Sequence, residues 1–179
     1  EDLPQEAAAA LFDKALLGAC TREEADAFRG HMLTEMARMS LDDGLVLQIH
    51  PGSCRNHSGP IMERFGRDKG YDIPTRTDYV HALRPLLNAV GQHPRVTIIV
   101  FTLDETAFAR ELAPLAGVYP ALKLGPPWWF HDSAEGMRRV RETVSFLATL
   151  VETGRLDRDE ADEVAHDLSY GLAKTAYKL

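Results

Sequence analysis

Three polar clusters each stand where a short apolar run stops. Leu45-Val46-Leu47-Gln48-Ile49 leads into His50-Pro51-Gly52-Ser53-Cys54-Arg55-Asn56-His57, Val96 to Phe101 ends at Thr102-Leu103-Asp104, and Ala121-Leu122-Lys123-Leu124 meets Gly125-Pro126-Pro127-Trp128-Trp129-Phe130-His131-Asp132. The residue types define the chemistry on offer. An imidazole such as His50 can bind a metal, or hydrogen-bond and exchange a proton with a substrate oxygen near neutral pH. The guanidinium fork of Arg55 matches the two oxygens of a carboxylate. Trp128 and Trp129 can wall a sugar site or fill a core. In parallel α/β folds the side chains that do chemistry converge at the carboxyl ends of strands, where helices do not cover them. These three strand ends are therefore where the sequence places the site.

The elements around them follow from periodicity. Residues 4–17 read as a helix, with Pro4 suited to its first turn and Gly18 to its exit. Thr21-Arg22-Glu23-Glu24 has the spacing of a capping box and opens a second helix to about residue 40. In it Phe28, Met32, Met36 and Met39 recur at helical spacing and are expected to pack in the core, with His31 beside them structural or solvated. Asp42-Asp43-Gly44 turns the chain into the first strand. Residues 51–77, rich in Gly and Pro and without a sustained period, read as a long loop. Helices are expected at 78–88, 105–115, 134–153 and 157–178, with strands at 96–101 and 121–124. Three βα units and a parallel sheet result.

Composition narrows the function classes. With 179 residues, 45% hydrophobic and 26% charged, the chain can bury a substantial core. A formal charge of −7 without a Lys/Arg stripe argues against a nucleic-acid partner, because neutralising phosphates needs clustered cations. A small polar metabolite suits it better. No stretch has the length and apolarity of a membrane span, and two cysteines, Cys20 and Cys54, cannot build a disulfide framework, so a cytoplasmic location is expected. His50 and Cys54 have the spacing of half a zinc site, without a second half. His131 and Asp132 adjoin, but neighbours on a strand point to opposite faces, so Asp132 reads equally as a helix cap.

At His50-Pro-Gly-Ser-Cys-Arg55-Asn56 the chain resembles the His-x-Gly-x-x-Arg-Asn signature of the uronate (glucuronate) isomerase family, within the amidohydrolase superfamily. A second segment in the right order, Leu124-Gly-Pro-Pro-Trp128-Trp129-Phe130-His131-Asp132 followed by Gly136-Met137, is similar to that family's Gly-x-x-Trp-Trp-Phe-Asn-Asp and Gly-Met. The resemblance extends over nearly the whole chain and implies the C-terminal portion of a (β/α)8 TIM-type barrel with terminal helices. It implies a cytoplasmic enzyme interconverting D-glucuronate and D-fructuronate, or galacturonate and tagaturonate, by proton transfer through an enediol-like intermediate. His50 would act in catalysis or as a metal ligand. Arg55, Trp128 and Trp129 would bind substrate, and the implied cofactor is a divalent metal, zinc. The chain departs from the family at His131, which replaces an Asn, and at Pro126-Pro127.

The resemblance also marks what these residues do not contain. The superfamily's metal site uses a His-x-His pair and a later Asp-x-Arg, and neither stands here in the corresponding context; Asp157-Arg158-Asp159 is a distant echo. The passage from Thr143-Val144 into Ser145-Phe146 matches family segments that are otherwise separated, so a segment is expected to be missing near 144–145 of a single domain spanning 1–179. The chain opens without Met, as expected of part of a longer polypeptide. The parent is expected to act on a hexuronate and is compatible with a homo-oligomer. The other reading is a truncated or degenerate relative, binding acid sugars or serving in assembly without catalysis.

Overall fold

Thr21 starts the longest helix among the described residues by a reciprocal exchange. Its hydroxyl accepts from the Glu24 backbone N–H, and the Glu24 carboxylate accepts from the Thr21 N–H at 2.8 Å. This computed structural model describes residues 2–125 and 134–179, which fall into two compact units divided after Pro126. The first holds helices α1 (Gln5–Leu16) and α2 (Arg22–Asp43), strand β1 (Leu47–Ile49), the short strand β2 (Ser53–Cys54), helix α3 (Gly59–Phe65) and the short strand β3 (Ile73–Pro74). Helix α4 (Tyr79–Val90) and strand β4 (Ile98–Phe101) follow. A helical segment then runs as α5 (Glu105–Ala107), a π-helical turn at Phe108–Leu112 and α6 (Ala113–Val118), before strand β5 (Leu122–Gly125).

The three longer strands form one parallel sheet in the order β1-β4-β5. Its register sets Leu47 against Ile98 and Ile98 against Leu122, and ends with Phe101 beside Gly125. Ile98 and Val100 are fully buried. Helix α4 presents Tyr79, Leu83, Leu86, Leu87 and Val90 to the same core, an apolar stripe at helical spacing. Leu112 and Ala107 from the segment after β4 complete the packing. The α/β expectation and the three parallel strands are thus present in this unit.

Two expectations need correction. Helix α2 turns His31, Thr34, Ala37 and Ser40 inward, while Met32, Met36 and Met39 lie on its exposed face and Phe28 is half-buried against Phe12. The physical reason is size: the small side chains Thr34, Ala37 and Ser40 let α2 lie close against α4 and β1. The two buried hydroxyls are satisfied locally, Thr34 donating to the Gly30 carbonyl and Ser40 to the Met36 carbonyl, both at 3.2 Å. His31 is structural, its Nδ1 accepting the Leu3 N–H at 3.2 Å. The second correction is the segment 51–77. It holds an antiparallel pair, β2 with β3, and the helix α3, which Ser58 caps and Pro60 enters in its first turn.

The described residues of the second unit are helical. Helix α7 (Ala134–Glu152) runs without a break through Val144 and Ser145 and ends before Gly154, whose φ of +66° lies in the left-handed region that favours glycine. Asp157 and Glu160 then form a capping box for α8 (Arg158–His166), continued by a π-helical turn at Asp167–Gly171 and by α9 (Leu172–Ala176). Among the described residues no helix is long and apolar enough to cross a membrane.

One buried polar node ties α4 to β4. The Tyr79 hydroxyl donates to Thr102 Oγ1 at 2.7 Å, the Asp104 N–H donates to the same oxygen, and the Thr102 hydroxyl donates to the Asp104 carbonyl. All three hydrogen-bonding positions of that hydroxyl are filled. Burial pushes the Tyr79 hydroxyl above its usual range and keeps it protonated as a donor. Replacing Tyr79→Phe removes the donor without leaving a cavity, so chemical denaturation should show a loss of about 1–2 kcal/mol with an unchanged denaturant slope.

Candidate functional site

The parallel register brings the ends of three strands into a row. His50 follows β1 and its imidazole stacks on the Phe101 ring, with centroids 4.1 Å apart and planes 14° from parallel. Phe101 ends β4, and its ring lies directly over Gly125 at the end of β5, where any Cβ would collide with it. Glycine is required there because an aromatic ring occupies the space of a side chain. On its own strand His50 shares a face with Gln48, whose Oε1 lies 3.4 Å from Nε2. The imidazole is exposed, so its orientation comes from the stack rather than from burial.

Gly52, two residues on, shows why this turn needs glycine. Its φ is +92°, and a Cβ would come within 2.8 Å of the Thr77 hydroxyl and 3.3 Å of the Thr75 carbonyl. The Thr75 N–H donates to the Gly52 carbonyl at 2.8 Å, so the chain leaving β3 crosses directly over the chain leaving β1.

Arg55 is held by two carboxylates from that returning chain. Its Nε forms an ion pair with Asp72 Oδ2 at 2.9 Å, and its Nη2 donates to Asp68. The other oxygen of Asp72 accepts the Asn56 N–H at 2.7 Å. Asn56 itself has a φ of +54°, a left-handed conformation that Asn tolerates, and its Oδ1 accepts the Asp68 N–H at 2.9 Å. The loop therefore fixes the guanidinium through both side chain and backbone. Sequence reasoning singled out Arg55, included Asn56 in the same motif without giving it a role, and passed over Asp68 and Asp72. The available signal was two acids four apart, with Gly66 and Gly70 flanking the first, in a segment too polar to be core.

At the end of β4, Asp104 is a helix cap. Its carboxylate accepts from the Thr106 N–H at 3.1 Å and from the Thr106 hydroxyl at 2.5 Å, and the hydroxyl contact holds its carboxyl below the usual range. Trp128, Trp129, His131 and Asp132 lie outside the described residues. Cys20 and Cys54 are free thiols. Among the described residues neither His50 nor Cys54 belongs to a group of three donors able to share one metal ion. Asp2, His31 and Glu35 do approach one another, but Arg38 donates to both acids and Leu3 occupies His31 Nδ1, which makes the group an ion-paired clasp. The described part of this chain thus offers His50 as a single donor and no complete metal site.

Two measurements test this geometry. Ring-current-shifted NMR signals of the His50 imidazole should move toward ordinary values in Phe101→Leu, and Gly125→Ala should move them as well by displacing the ring. For Asp104, the folded carboxyl is held low, so its capping contribution is complete above the ordinary carboxylate value and is lost as pH falls through the folded value. Asp104→Asn, which caps without titrating, should flatten that part of the acid limb of a pH–stability profile.

Comparison with known proteins places this arrangement. Residues 2–152 match the family model described as glucuronate isomerase. The chain is 59% identical to a uronate isomerase of Rhizobium meliloti and 52% identical to one of Xanthomonas oryzae pv. oryzae, each match covering 99% of this chain and 45% of the relative. These alignments run over 212 positions, more than this chain's 179 residues. A crystal structure of glucuronate isomerase from Caulobacter crescentus superposes with a TM-score of 0.90 at 51% identity, covering 99% of this chain and 44% of that one. The fold is shared also with a uronate isomerase from Thermotoga maritima, at a TM-score of 0.85 and 23% identity. The chain spans less than half the length of the relatives it matches, and nearly all of it aligns with them: it belongs to the uronate (glucuronate) isomerase family.

Proposed function

We propose that the complete polypeptide is an aldose–ketose isomerase of hexuronates, interconverting D-glucuronate and D-fructuronate or galacturonate and tagaturonate, and that this chain supplies part of its site. The observation that carries the reading is the 59% identity to a uronate isomerase across 99% of this chain. The geometry supports it. Isomerisation moves a proton between adjacent carbons through an enediol-like species, which calls for a group able to exchange protons or hydrogen-bond the sugar oxygens, and for a cation to hold the carboxylate. His50 stands exposed on its Phe101 platform for the first task. Arg55, oriented by Asp72 and Asp68, suits the second.

In this reading β1, β4 and β5 are neighbouring staves of a (β/α)8 barrel completed by the rest of the polypeptide. One of Trp128 and Trp129 would line the sugar. The alignment length supports a segment without counterpart here, for which 144–145 is the proposed position. In the alternative role for His50, it would be one ligand of a divalent metal, zinc by family resemblance, with the others coming from outside the described residues. The enzyme would work in the cytoplasm, where the free thiols Cys20 and Cys54 remain reduced.

The test is an isomerase assay of the complete polypeptide with D-glucuronate and D-galacturonate. Turnover is expected, with kcat reduced about a hundredfold or more in His50→Ala and kcat/KM reduced about tenfold or more in Arg55→Ala. Normal turnover in both variants would overturn the site assignment. No turnover by the metal-supplemented complete protein would leave the non-catalytic relative as the correct reading.

A further inference from the structure

Arg55 already faces two carboxylates, one more than its single positive charge balances. Asp72 and Asp68 both pair with it before any anionic ligand arrives. A third carboxylate would meet net repulsion unless one of the two leaves.

The two acids differ in how firmly they are held. The Asp72 side chain is 7% exposed; one of its oxygens forms an ion pair with Arg55 Nε and the other accepts the Asn56 N–H. It sits beside β3, whose pairing with β2 fixes it relative to Arg55. Removing its carboxylate would strand a backbone donor and an arginine together, which costs far more than an exposed contact. Asp68 is 60% exposed and meets Arg55 through Nη2 only. Exposed ion pairs of this kind contribute about 0–1 kcal/mol, so a competing carboxylate can replace one at little cost. The Asp68 backbone remains anchored by the Asn56 side chain, so the carboxylate can turn away without the loop unfolding.

We infer that Asp68 is an exchangeable occupant of the Arg55 guanidinium, standing where the substrate carboxylate binds, while Asp72 is a positioning residue that holds the guanidinium in place throughout. The inference rests on the proposed hexuronate isomerase reading and adds a residue that sets apparent substrate affinity. Asp68 fills the anion position in the free protein, keeps Arg55 oriented, and is displaced by a ligand that brings its own carboxylate.

Steady-state kinetics of the complete polypeptide with D-glucuronate test it. Asp68→Asn suits the left-handed backbone at that position, and Asp68→Gly adopts it without strain. Both should lower KM about two- to fivefold, and the gain should vanish when Arg55→Ala is also present. Asp72→Asn should instead raise KM about tenfold, with a smaller effect on kcat. If wild-type turnover is absent, or Arg55→Ala leaves KM unchanged, the isomerase reading of this site fails and the inference fails with it. If wild type and Arg55→Ala behave as expected but both Asp68 variants leave KM unchanged or raise it, the exchange alone is refuted. A loss in Asp72→Asn confined to kcat would refute its positioning role.

Discussion

The buried hydroxyl of Thr102 is the constraint on which the strand-end geometry of the first unit depends. It receives the Tyr79 hydroxyl from the start of α4 and the Asp104 N–H from the cap of α5, and donates to the Asp104 carbonyl. A polar group with no access to water must be paired completely or it destabilises the fold. Here complete pairing requires α4, β4 and α5 to take up one arrangement. That arrangement ends β4 at Phe101 and so sets where the ring beneath His50 lies.

The residues offered to a ligand are held by contacts that differ in kind. His50 is placed by ring stacking, a contact that depends on register: β1, β4 and β5 must align so that an imidazole, a phenyl ring and a glycine come level. Arg55 is placed by charge and by two left-handed backbone positions, Asn56 and Asp68. These belong to a ribbon outside the sheet. Its geometry comes from local hydrogen bonds and from the close crossing at Gly52 rather than from the core.

Helix α2 shows how packing can override hydrophobicity. Its methionines would bury more apolar area than Thr34, Ala37 and Ser40, yet the small residues face inward. Close approach to α4 and β1 favours side chains that take little space, and the i−4 carbonyls satisfy the hydroxyls that are buried as a result. Periodicity located the helix and its capping box but not its inward face. Both stripes recur at helical spacing, and only the neighbours distinguish them.

Much of the frame is legible in the residues alone. The apolar runs ending at Ile49, Phe101 and Leu124, the capping box at Thr21 and the turn glycines 44 and 154 are local signals, each with a local physical cause. His50, Gly52, Arg55 and Asn56 stand together in sequence, which is why the family motif could be read. The sequence determined these side chains and the strand ends that carry them. Tertiary structure decided which distant residues complete them: Phe101 beneath His50, Gly125 beneath Phe101, Thr77 against Gly52, and Asp68 and Asp72 on Arg55. Stacking, steric exclusion and ion pairing act through space over a few ångströms. Their partners are chosen by sheet register and by the fold of residues 51–77, neither of which leaves a period in the chain.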